Sequence, residues 1–204
     1  MLQEYLTVHN TKTMKNYLRM LCAAIALFAF SQAQAQEFPD LDPSPMDVAY
    51  FPDKMPYTDI RARTYSSPKI KLYYSRPQLN DREMIGKKAA PYGKMWRAGA
   101  NEANEITFYQ DVTFGDTKVK AGTYSLFAIP GEETWTWILH TQLDTWGNYA
   151  LSNSSGKEVA RAEGKAVKSD KTIEALSFMF KEVDGGAHLV FGWENTVVEV
   201  PIKM

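Results

Sequence analysis

One cysteine, three histidines and no excess of either charge leave few chemistries open to this chain of 204 residues. The cysteine, Cys22, sits in an apolar run near the N-terminus, so neither a disulfide framework nor a cysteine-ligated metal is expected. His9, His140 and His188 are far apart and show no His-x-His or His-Glu-x-x-His spacing, which argues against a histidine-built metal site and gives no reason to expect a cofactor. Lys and Arg total 23 against 24 Asp and Glu, a formal charge of −1, and nucleic acid is therefore not an expected partner. No phosphate loop of the Gly-x-x-x-x-Gly-Lys or Gly-x-Gly-x-x-Gly type occurs, nor a Gly-x-Ser-x-Gly elbow. What is abundant is aromatic, at 13% of residues, which excludes a disordered tail and points to a packed core.

The longest apolar run, Met20 to Phe30, is well short of the ~20 residues of a membrane helix. Lys15 and Arg19 precede it and Ala33-Gln34-Ala35 follows it, the arrangement of a secretory signal peptide. Residues 1–35 are thus expected to be removed, with Met14 as the true start and no membrane span left after cleavage. Cys22 stands at the front of the apolar core rather than behind it, so a lipid anchor is not expected. Removal takes away Lys12, Lys15, Arg19 and Glu4 and leaves 20 basic and 23 acidic residues, net −3, with no cysteine. The expected location is the periplasm or the exterior.

Residues 36–66 hold half of the ten prolines, and an extended arm without regular structure is expected there, partly packed through Phe38, Leu41, Tyr50 and Phe51. From residue 67 to 204 the periodicity is two. Ile70, Leu72 and Tyr74 alternate with Lys71 and Tyr73, and further strands are expected around residues 106–110, 112–114, 118–120, 123–129, 134–140, 159–167, 172–182, 187–193 and 196–202. Asp184-Gly185-Gly186 marks a hairpin, because these residues tolerate positive φ. With no long helical period, the expected fold is all-β, an antiparallel β-sandwich of the jelly-roll or Ig-like kind with about 8–10 strands. Trp193 and one of Trp135 or Trp137 are expected in its core.

Residues 76–103 break the pattern, and so long a connection is usually functional or carries its own structure. One helical turn is expected near residues 81–85. The segment contains Tyr74-Ser75-Arg76-Pro77 at its start, Arg82 with Ile85-Gly86, and Trp96-Arg97-Ala98-Gly99-Ala100-Asn101-Glu102-Ala103. With Ser44-Pro45-Met46-Asp47, Tyr50-Phe51-Pro52, Ala121-Gly122-Thr123-Tyr124-Ser125-Leu126-Phe127 and Trp146-Gly147, these strings resemble a family of secreted Gram-negative proteins, the domain of unknown function numbered 2911. The resemblance spans nearly the whole predicted mature chain and implies export and a β-rich domain. It implies no activity, substrate or cofactor. One departure is His140, where the family more often carries Asn, so a role at that position does not carry over.

The candidate site joins two clusters. The first is Arg76, Arg82, Trp96, Arg97, Asn101 and Glu102, where guanidiniums could grip a carboxylate, phosphate or acidic sugar, or could equally pair with Asp81, Glu83, Glu102 or Glu105 and staple the loop. The second is His140, Trp146, Asn148 and Tyr149, whose rings suit sugar stacking or a protein contact or could plug the sheet edge. Should the two segments adjoin, they would frame one pocket. The reading this supports is a non-catalytic exported module that binds a small ligand, a glycan or an envelope protein. Two alternatives stand beside it: an envelope hydrolase using Glu102 with Arg97 and His140, and a purely structural protein in which the Trp96–Glu102 string serves only the fold.

Overall fold

The structure is a computed structural model, and it describes residues 13–22, 37–53, 55–64, 66–149, 151 and 155–204. The chain divides into two compact units, Met1–Asp40 and Leu41–Met204. In the first, residues 13–22 are helical and carry Cys22 exposed. Most of the expected signal core and the cleavage motif lie outside the described residues. No helix among the described residues is long and apolar enough to cross a membrane.

Among its described residues the second unit holds nine strands: β1 (Met46–Phe51), β2 (Ile70–Ser75), β3 (Asn104–Phe108), β4 (Val112–Phe114), β5 (Thr117–Val119), β6 (Gly122–Ile129), β7 (Thr134–His140), β8 (Glu158–Val183) and β9 (Gly186–Lys203). They form one antiparallel sheet in the order β1-β2-β3-β6-β7-β8-β9-β4-β5. The fold is therefore antiparallel and mostly β, but the hydrogen bonding runs through a single unclosed sheet and not through the two separate sheets expected of a sandwich. The reason lies in β8 and β9. Four expected strands merge into these two, because Ser169-Asp170-Lys171 and Glu194-Asn195, which read as strand ends, are irregularities inside a continuous ladder. Residues 169–172 of β8 face only Asn195 of β9, and Glu194 takes a φ of +53°, so the pair bends without separating. The Asp184-Gly185 turn closes the hairpin as expected, with Val183 opposite Gly186.

The curl of the sheet brings distant strands together. Beyond β2, Leu79 N–H donates to the Glu174 carbonyl and Leu176 N–H to the Pro77 carbonyl, both at 3.0 Å, so the chain leaving β2 pairs with the middle of β8. The Tyr74 ring meets Phe178 edge-on at 5.1 Å, and Phe51 meets Phe180 at 6.3 Å. Between them lies an aromatic core of Trp96, Trp135, Trp137, Trp193, Phe178 and Phe191, all buried. Both Trp135 and Trp137 are fully enclosed, whereas one had been expected, since residues two apart on a strand point to the same face. Full burial of such rings contributes on the order of 2–3 kcal/mol each.

Two local expectations fail. The proline-rich stretch contains β1 and a helix, α1 (Met55–Ala62), because its prolines precede β1, fall between the two elements or stand at the start of the helix, where a missing N–H costs nothing. Residues 81–85 form no helical turn. Asn80 and Asp81 both adopt left-handed φ, +47° and +61°, a conformation in which a right-handed helix cannot start.

Candidate functional site

The string Trp96–Glu102 is anchored at both ends. Trp96 exchanges backbone hydrogen bonds with Ala128 of β6, at 2.7 and 2.8 Å, and this fixes its ring in the core. The indole stacks on Trp193 at 5.9 Å with planes 10° apart and meets Trp135 edge-on at 6.2 Å. Further along, the buried Ser75 hydroxyl accepts the Ala100 N–H at 2.7 Å and donates to the Ala100 carbonyl at 2.8 Å, while Asn104 donates to the Ala98 carbonyl at 2.9 Å. Ala98 and Asn101 take φ values of +54° and +57°. This tight path is possible because Gly99 has no side chain: a Cβ there would lie 2.5 Å from the Ser75 hydroxyl oxygen.

The loop after β7 packs against the same string. Ala103 N–H donates to the Thr145 carbonyl at 2.9 Å, Gly147 N–H to the Asn101 carbonyl at 3.0 Å, and the Asn148 side chain to the Met95 carbonyl at 2.8 Å. The two segments that the sequence reading needed as neighbours are neighbours. Asn148 serves as their staple, and Trp146 and Tyr149 are left 63% and 76% exposed.

A pocket of about 490 Å³ is lined by the loop of residues 82–89, by Arg97, Gly99, Ala100 and Tyr149, and by Trp96 and Trp193. The loop is held by Glu194, whose carboxylate accepts the N–H groups of both Met84 and Ile85, the latter at 2.8 Å. Lining cations are Arg82, Lys87, Lys88 and Arg97; the one lining carboxylate, Glu83, pairs with Lys87 at 3.1 Å. That pair is well exposed and neutralises little. Arg97 is partly buried. Its Nε is enclosed without a partner, and among the described residues its guanidinium has neither a carboxylate nor a carbonyl acceptor. The clamp expected between Arg97 and Glu102 is absent: no hydrogen bond or ion pair joins them.

The remaining sequence candidates are placed as follows. Arg76 is spent on the fold, with Asp47 at 2.9 Å, the Leu176 carbonyl at 3.2 Å and the Ser177 hydroxyl at 2.9 Å. Arg82 donates to the carbonyls of Leu79 and Gln78 within its own turn, yet still lines the pocket. Asn101 donates to the Asp42 carboxylate at 3.1 Å. Glu102 is exposed, opposite Trp146 in an isolated bridge, and outside the pocket lining. His140 is separate from the pocket, on the face of β7 that carries Ile138, edge-on to Phe127 and 8% exposed. Its Nδ1 accepts the Gln142 N–H at 3.0 Å, and burial lowers its pKa against an opposing pull from the Glu158 carboxylate. Among the described residues no group of three His, Cys, Asp or Glu side chains is placed to hold a metal ion.

Lys87, Lys88 and Glu194 escaped the sequence reading. The two lysines follow a glycine in an irregular segment, a visible signal, but nothing in the sequence links Glu194 to residues 84 and 85 across more than a hundred positions.

No curated protein and no solved structure gives a match to the chain. A family model does match, over residues 56–202, which is most of the chain and includes every strand after β1 and the whole pocket; its description reads "Protein of unknown function (DUF2911)". The chain belongs to the DUF2911 family.

Proposed function

We propose that the protein is an exported binding module that takes a small anionic ligand in the pocket lined by the loop of residues 82–89 and Arg97. The observation that carries this reading is Arg97. A guanidinium drawn partly out of water normally finds a carboxylate or a set of carbonyls, because an uncompensated charge is costly there. Among the described residues Arg97 has neither, and Lys87, Lys88 and Arg82 share its cavity. A bound carboxylate or phosphate would supply the missing partner and gain from the planar donor geometry of Arg. The cavity volume falls within the ~300–1,000 Å³ usual for small-ligand sites.

A hydrolase built on Glu102, Arg97 and His140 finds less support, since only Arg97 of the three lines the pocket. Export rests on Lys15, Arg19, the apolar core and Ala33-Gln34-Ala35. Thermal denaturation in citrate, phosphate and the matching concentration of chloride tests the binding reading. Citrate or phosphate raises Tm in the native protein through linkage to the folded state, and Arg97→Ala removes that rise. An equal response in native and variant protein refutes it.

A further inference from the structure

Two parts of the pocket lining differ, and the difference points to the ligand's class. The loop of residues 82–89 brings Arg82, Lys87 and Lys88, with Glu83 paired to Lys87. The other part sets a cation beside an aromatic ring. Gly147, at a φ of +70°, lies beneath both: a Cβ built on it would fall 2.9 Å from Cε2 of Tyr149 and 3.6 Å from Nη1 of Arg97. The phenol ring and the guanidinium therefore flank the same small space. Tyr149 is 76% exposed although its ring borders a cavity, and Trp146, three residues earlier, is 63% exposed.

We infer that the pocket binds an acidic sugar, a hexuronate or short oligouronate, with the pyranose ring against Tyr149 and the carboxylate on Arg97. This rests on the anionic-ligand reading and narrows it. A pyranose presents an apolar C–H face that covers an exposed aromatic ring, as amphipathic rings at binding surfaces are suited to do. Its carboxylate projects from the ring edge, so a guanidinium close to the aromatic ring meets the acid while the sugar face remains stacked. A free phosphate or an aliphatic acid would use the cations and leave Tyr149 uncovered; a neutral sugar would use the ring and leave Arg97 uncompensated. Lys87 and Lys88, which also line the pocket, suit the carboxylate of a second residue.

Calorimetric titration with trigalacturonate, its neutral counterpart galactotriose, and succinate tests the inference, using native protein, Arg97→Ala, Tyr149→Ala, Tyr149→Phe and Lys118→Ala. Lys118 lies on β5, outside the pocket. Trigalacturonate is expected to bind at least about tenfold more tightly than either comparator. Tyr149→Ala should weaken it about tenfold, Tyr149→Phe should preserve it, Arg97→Ala should abolish it and Lys118→Ala should leave it unchanged. If succinate binds as well as trigalacturonate and Tyr149→Ala has no effect, the sugar is wrong and the anion pocket stands. If no anion binds, or Arg97→Ala and Lys118→Ala behave alike, both readings fall.

Discussion

Gly99 packs so tightly on Ser75 that a Cβ on Gly99 would lie only 2.5 Å from the Ser75 Oγ. Ser75 cannot retreat, because its hydroxyl is bonded to both the N–H and the carbonyl of Ala100 and the residue is fully buried. Gly99→Ala should therefore lower stability by about 1–3 kcal/mol, the range for overpacking an enclosed site. Ser75→Ala relieves the clash but leaves the Ala100 N–H unmatched, so the double variant should not recover native stability. Urea unfolding of the two single variants and the double variant checks this.

Trp96 and Arg97 are adjacent but should respond oppositely to truncation. Trp96→Ala removes a buried ring stacked on Trp193 and should cost about 3–5 kcal/mol. Arg97→Ala removes a cation that has no partner among the described residues, and should change stability by less than about 1 kcal/mol or raise it. A loss from Arg97→Ala comparable to that from Trp96→Ala would mean that Arg97 serves the fold. Chemical denaturation without added anions separates the two outcomes.

Glu194 ties β9 to the basic loop. In Glu194→Ala the N–H groups of Met84 and Ile85 lose their acceptor, and stability should fall by about 1–3 kcal/mol. Hydrogen exchange at amides 84 and 85 should accelerate more than at the β2–β3 ladder, because the loss is local to the loop. Both N–H groups donate to the same oxygen, Oε1, so Glu194→Gln keeps that acceptor but loses its charge, and should fall between native protein and the alanine variant.

His140 gives the fold a pH dependence whose sign is set by burial. Its pKa is lowered in the folded protein, so near and below the ordinary histidine value the unfolded chain binds more protons than the folded one. Stability is then complete above about pH 6.5 and declines as pH falls from there towards the lowered folded value. Protonation would also place a hydrogen on Nδ1, which now accepts the Gln142 N–H. His140→Gln should be less stable than native protein at pH 8, and the gap in Tm should narrow by pH 5.5. A gap that stays constant or widens over this range contradicts the assignment.

Arg76 and Asp47 form a half-exposed ion pair, and its two halves are unequal. Asp47→Ala removes the ionic contact and the local bond from the Val48 N–H, and should cost about 1 kcal/mol. Arg76→Ala also strips hydrogen bonds from the Leu176 carbonyl and the Ser177 hydroxyl, which hold the chain leaving β2 against β8, and should cost more. Urea midpoints of the two variants, compared at equal slope, rank them.

Sequence alone determined what depends on neighbours in the chain. Period-two alternation placed residues 70–74, 123–129 and 134–140 in strands, because a strand half-buried against a core must alternate. Asp184-Gly185 gave its hairpin because the turn needs positive φ at the glycine. The string Trp96–Glu102 and the loop at Trp146 stood out for the same reason, as rings, glycines and charges that no strand pattern explains.

Tertiary structure decided everything that depends on partners far along the chain. Whether Ser169-Asp170-Lys171 ends a strand or bulges within one depends on what β9 offers opposite it, and the outcome made one curled sheet. Three arginines were equally available to grip a ligand on paper. The fold took Arg76 for Asp47 and Ser177, gave Arg82 the carbonyls of its own turn, and left Arg97, near Tyr149, without an acceptor among the described residues. Charge and side-chain type are local properties, but compensation of a charge is a property of the packed chain, and it is compensation that separates a structural arginine from one available to bind.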